Sequence, residues 1–142
     1  MILLYGADTA EKIKAEISGI LSELKGYIPT LGIVRIGSNS ADISYEKGAV
    51  KKMESLSLKT KVFEFDENIS SEDFIEEFKK INEDDEIDGI LLFRPLPEHI
   101  DEKKVIEVLD ERKDLDGISY KNIAKVFAGD ESGFAPCTAK AV

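Results

Sequence analysis

The chain has 142 residues, 42% of them hydrophobic and 34% charged, and this composition leads us to expect one domain with its own core. Its formal charge of −10 at pH 7 argues against nucleic acid or an anionic membrane surface as the main partner, since both need clustered Lys and Arg. No apolar run approaches the roughly 20 residues of a membrane span, Met1 to Gly6 lacks the basic start of a signal peptide, and the single cysteine, Cys137, excludes an internal disulfide and fits a reducing cytoplasm.

In chain order, Ile2 to Tyr5 reads as a short apolar strand that Gly6 ends. Asp8 precedes Glu11 by three residues, a capping-box-like helix start. Ile13, Ile17, Ile20, Leu21 and Leu24 then recur at helical spacing. Gly26 closes that helix, and Pro29 prevents its continuation. Leu31 to Ile36 is the next strand, Gly37 to Ser40 a turn, and a helix runs from about Ala41 to Leu56. Lys61 to Phe65 alternates like a strand. Ser70 is the expected N-cap of a helix whose stripe is Phe74, Ile75, Phe78 and Ile81.

The pivotal stretch is Asp88 to Pro97. Gly89 to Arg94 reads as a strand whose run Ile90 to Phe93 suits a parallel sheet covered on both faces. Pro95 and Pro97 then stop it, because proline cannot donate to a ladder and restricts the residue before it. A helix from about Asp101 to Leu109 follows, then a turn at Asp114 to Gly117, a short helical or extended piece at Asn122 to Phe127, and a loop from Gly129 to Gly133. This alternation predicts an α/β fold, three layers α/β/α, with a mostly parallel sheet of about four main strands. In such sheets ligands sit beyond the carboxyl ends of the strands, where Gly37 to Tyr45, Phe93 to Pro97 and Asp114 to Gly117 should converge.

Together these segments resemble the methylenetetrahydrofolate dehydrogenase/cyclohydrolase family. The resemblance rests on five features in order: a strand ending in Ile36-Gly37, Tyr45 on the next helix, Asp88-Gly89-Ile90-Leu91 before Pro95-Leu96-Pro97, Lys113-Asp114-Leu115-Asp116-Gly117, and Pro136-Cys137-Thr138. It implies a folate-binding catalytic domain over residues 1–142, a reaction that oxidises 5,10-methylenetetrahydrofolate and hydrolyses the methenyl product, and NADP or NAD as cofactor of the full-length family. The family's cofactor domain has no counterpart here, and the sequence holds no Gly-x-Gly-x-x-Gly fingerprint. A homo-oligomer or a separate partner domain would then complete the molecule.

Residue by residue, Tyr45 matches the tyrosine that stacks on the folate rings, with helix packing as its competing role. Asp116 matches the aspartate that holds the amino-pyrimidine edge, with an ordinary turn position as its competitor. Pro95, Leu96 and Pro97 match the loop lining the folate site. Two departures stand against these matches. Ala49 occupies the place of the catalytic lysine, four residues after Tyr45, and Phe93 occupies that of its glutamine partner. Lys52, seven residues after Tyr45, is the candidate substitute for the lysine. Ala139 departs from the proline usual after Pro-Cys-Thr. Arg94 could face an anionic folate tail or simply the solvent.

Other residues read as ordinary. His99 is a loop histidine without a Ser or Cys partner, Cys137 is structural, and no spacing fits a metal site. Gly37 to Asn39 is more readily a plain turn than an anion cradle. The rival reading is a non-catalytic relative of the folate site that serves as a binding or interaction domain.

Overall fold

The computed structural model describes residues 6–140. Their order is α1 (Gly6–Glu23), β1 (Thr30–Ile36), α2 (Ser40–Ser55), β2 (Lys59–Phe65), α3 (Ser71–Glu83), β3 (Gly89–Leu92), α4 (Glu102–Val108), α5 (Tyr120–Ala128) and α6 (Cys137–Lys140). The expected strand at Ile2 to Tyr5 lies outside the described residues. β2, β1 and β3 form a parallel sheet in that order. The register sets Ile33 beside Val62 and Leu91, and Val34 beside Phe63 and Leu92.

β1 is the central strand and is buried along most of its length, as its near-continuous apolar run requires. Its side chains alternate between two cores. On one face Val34, Ile90 and Leu92 meet Phe74, Phe78 and Ile81 of α3 and Val105 of α4. On the other, Leu31, Ile33 and Phe93 meet Ala49, Val50 and Met53 of α2. Helices thus cover both faces and give the three layers expected. Each fully buried side chain of this kind stabilises the fold by roughly 1.5–3 kcal/mol.

Among the described residues, a fourth sheet position exists only as a bridge. The Ile90 amide donates to the Lys113 carbonyl at 2.6 Å, and the Leu115 amide to the Ile90 carbonyl at 3.4 Å, pairing Ile90 with Asp114. That bridge draws the Asp114 to Gly117 turn onto the free edge of β3.

Several boundaries differ from expectation for local reasons. β3 ends at Leu92, two residues early, although the Phe93 amide still donates to the Val34 carbonyl at 2.9 Å. Asp8 lies inside the first turn of α1 and does not cap it; an acid there still complements the helix dipole. α1 contributes no buried residue, and Ile13 and Ile20 of its apolar stripe remain exposed. Ser70 caps α3 as expected, accepting from the Asp73 amide at 3.1 Å. The piece around Asn122 to Phe127 is a helix, capped by Ser119 and closed by Gly129 in the left-handed conformation.

Candidate functional site

The site is built at the carboxyl ends of β1 and β3. α2 opens beneath it, with the Asn39 side chain accepting from the Ala41 amide at 2.8 Å. Ala49, Val50 and Met53 hold the later half of α2 on the sheet. Tyr45, one turn before Ala49, is left 62% exposed, and its ring tilts over Phe93 with centroids 5.4 Å apart. Phe93 is itself buried. This aromatic pair forms one wall of a cleft of about 400 Å³, which Asp42, Arg94 and Asp116 also line.

The two carboxylates of the Asp114 to Gly117 turn have opposite environments. Asp114 is 1% exposed and accepts from the Ile118 and Ser119 amides at 3.1 and 2.8 Å and from Asn122 Nδ2 at 2.9 Å. Burial pushes it up, but the hydrogen bonds from Asn122, Ser119 and Ile118 outweigh burial and hold it below the ordinary carboxylate value. Asp116 is half-buried, and among the described residues no hydrogen bond engages its side chain. Burial, with the nearby Asp114 charge adding to it, raises its pKa, and Arg94 partly opposes the rise. Arg94 is held beside it by Glu102, whose carboxylate accepts from Nε at 2.8 Å and also from Nη2.

Gly117 makes the turn possible. Its φ is +65°, and a Cβ there would stand 2.4 Å from the Phe134 carbonyl oxygen. Asn122 then ties the turn to α5: Nδ2 donates to the Glu111 carbonyl at 2.9 Å as well as to Asp114, while Oδ1 accepts from the Phe134 amide at 3.0 Å.

The structure therefore brings Tyr45, Phe93, Arg94 and Asp116 together. Pro95, Leu96 and Pro97 line an adjoining cleft of about 540 Å³ against Gly37 to Asn39, and Asp42 borders both clefts. Lys52 is exposed on α2, lines neither cleft, and lends its charge to Glu11 of α1. His99 Nε2 bonds the Ile69 carbonyl at 3.0 Å and ties its loop to the segment before α3. Cys137 Sγ donates to the Leu115 carbonyl at 3.1 Å, and no group of His, Cys, Asp or Glu among the described residues could hold a metal ion.

The sequence reading missed three contributors. Asp42 sits three residues before Tyr45, a spacing that puts both on one helix face. Asn122 carried no visible signal. Arg35, 4% exposed, breaks the apolar run of β1, and that interruption was the available cue: Nε donates to Glu46 of α2 at 2.8 Å, and Nη2 lies 2.9 Å from Glu64 of β2.

Comparison with known proteins identifies the family. Residues 4–116 match the family model of the tetrahydrofolate dehydrogenase/cyclohydrolase catalytic domain. The chain belongs to this family. It is 47% identical over 143 residues to the bifunctional protein FolD of Clostridium kluyveri and 44% identical over 142 residues to that of Alkaliphilus metalliredigens. In both pairs 99% of this chain is covered, and the chain spans about half, 50%, of the relative's length. The crystal structure of the bifunctional FolD methylenetetrahydrofolate dehydrogenase/cyclohydrolase from Campylobacter jejuni superposes with a TM-score of 0.86 at 34% identity, covering 94% of this chain and 48% of that one.

Proposed function

We propose that the cleft between Tyr45 and Asp116 binds the ring system of a reduced folate, and that this chain is the folate-binding part of a methylenetetrahydrofolate dehydrogenase/methenyltetrahydrofolate cyclohydrolase. The observation that carries this reading is Asp116: a half-buried carboxylate without a hydrogen-bond partner among the described residues, set opposite an aromatic wall. Such a carboxylate can accept two parallel N–H bonds from an amino-pyrimidine edge while Tyr45 supplies a flat apolar contact. Family membership supports the substrate class.

Hydrolysis of a methenyl carbon needs a group that assists attack by water. Ala49 offers a methyl group at the position where the resemblance puts a lysine, and Phe93 offers a ring in place of its amide partner. Both residues belong to the α2-facing apolar core, which favours weakened hydrolysis and keeps open a role as a binder without turnover. Lys52 would have to reach the cleft from its exposed position beside Glu11 to replace the lysine. Oxidation needs NADP or NAD. The turn at Gly37 to Asn39 does not fit a dinucleotide, because the cleft it borders is lined by the carboxylates Asp42, Glu67 and Glu98, which repel a pyrophosphate. We assign the cofactor, and any partner domain or second copy, to residues outside this chain, and we place the protein in the cytoplasm.

The test is a calorimetric titration with a stable folate analogue. Saturable binding is expected, with Tyr45→Ala and Asp116→Ala each weakening it by about tenfold or more, the scale of a lost charge-assisted hydrogen bond or ring contact. Absence of binding at millimolar ligand would sink the folate reading.

A further inference from the structure

Arg35 lies on the central strand, 4% exposed, and its guanidinium is held between Glu46 of α2 and Glu64 of β2. Burying a charge there costs stability that an apolar residue of similar size would not, so the contact calls for an explanation other than stability. What it touches supplies one. Nε donates to Glu46, the residue next to Tyr45 on α2, and Glu46 is itself only 14% exposed. Nη1 donates to the Gly37 carbonyl, the first residue of the turn that borders the proline-lined cleft. Nη2 meets Glu64 at 2.9 Å.

α2 has no fully buried residue, and its apolar anchors Ala49, Val50 and Met53 all lie after Tyr45. These anchors hold the helix past Tyr45, and apolar contacts define its rotation about its own axis less sharply than a directional bond does. A charge-assisted hydrogen bond is such a bond. We infer that Arg35 is a positioning residue: through Glu46 it fixes the rotation of α2 that holds the Tyr45 ring over Phe93, and through the Gly37 carbonyl it fixes the neighbouring cleft wall in the same register. Its bearing on ligand affinity rests on the reading that the cleft is the folate site, whereas its bearing on the Tyr45 ring does not.

The experiment uses two readouts on the whole chain: the proton–proton contact between the Tyr45 and Phe93 rings by nuclear magnetic resonance without ligand, and affinity for the folate analogue. Three variants are compared: Arg35→Met/Glu46→Leu, which replaces the pair by apolar residues, Glu46→Ala, and the conservative Glu46→Gln. The apolar pair is expected to keep or raise the melting temperature, lose the ring contact and bind the analogue about tenfold more weakly, a difference of 1.4 kcal/mol. Glu46→Gln retains an acceptor for Nε and should keep the ring contact. If the apolar pair does not fold, Glu46→Ala decides, because Arg35 there keeps Glu64 and the Gly37 carbonyl. A folded Glu46→Ala or apolar-pair protein that retains the ring contact overturns the inference, as does a wild-type chain that lacks it. If the wild-type chain shows the ring contact but binds no analogue, the folate reading fails and the ring readout still decides the role of Arg35.

Discussion

Asp114 and Asp116 are separated by one residue and have different roles. Asp114 is satisfied by three donors and serves the turn, whereas Asp116 accepts no hydrogen bond among the described residues. The sign of their pH effects follows. Asp116 has a raised pKa in the folded chain, so ionising it costs stability: the penalty is fully present above the folded-state pKa and absent below the unfolded value near 3.8. A ligand that offers N–H donors needs the ionised form. Affinity for the folate analogue should therefore rise with pH through a midpoint above 3.8. In Asp116→Asn the rise should flatten, affinity should fall, and the melting temperature at pH 7 should increase. An unchanged pH profile in Asp116→Asn would show that the ligand does not use this carboxylate.

At the scale of elements, the site depends on how α5 and the bridged edge of β3 hold the turn between them. Asn122, 1% exposed, joins Glu111, Asp114 and Phe134. Asn122→Ala removes one of the three donors to Asp114, the Nδ2 donor to the half-buried Glu111 carbonyl and the acceptor of the Phe134 amide, and a buried polar group left unpaired costs about 1–3 kcal/mol. A loss of about 3 kcal/mol is expected in urea unfolding, seen as a lower midpoint at unchanged slope; a loss under about 0.5 kcal/mol would mean that water replaces the amide. This dependence was not readable beforehand. The apolar strand at Leu31 to Ile36, the stripe Phe74, Phe78 and Ile81, and the Ser70 cap follow from local sequence patterns, and the structure shows all three. Tyr45 and Asp116 could be named from the family resemblance, and the structure sets both along one cleft. Asn122 acts through partners as many as 12 residues away whose proximity only the fold creates, and the Arg35 and Glu46 pair joins a strand to a helix across a similar gap. The stripe of α1 shows the converse limit: helical spacing was legible in Ile13 and Ile20, but periodicity cannot say what the face will meet.

At the scale of the whole molecule, the two chemical steps of the family make different demands on a chain that spans half the length of its relatives. On the proposed reading, hydrolysis is decided by side chains around one cleft. Oxidation also needs a bound nicotinamide, for which the sequence holds no glycine-rich fingerprint and the turn at Gly37 to Asn39 only an acidic border. The steps should therefore separate under mutation. Ala49→Lys alone would drive a four-carbon stem into the core that contains Phe93, and overpacking of that kind costs about 1–3 kcal/mol. Ala49→Lys with Phe93→Gln opens the space and supplies an amide within the same core. The double variant should gain hydrolysis of 5,10-methenyltetrahydrofolate by about 100-fold, the usual scale for one positioned proton-transfer group. Neither it nor the wild-type chain should reduce NADP with 5,10-methylenetetrahydrofolate. Both are read from the same protein by following methenyl absorbance and reduced-cofactor absorbance separately. A double variant that binds the folate analogue but hydrolyses no faster than wild type would show that the missing chemistry lies outside these two positions. NADP reduction by the wild-type chain would show that a nucleotide site exists within these 142 residues.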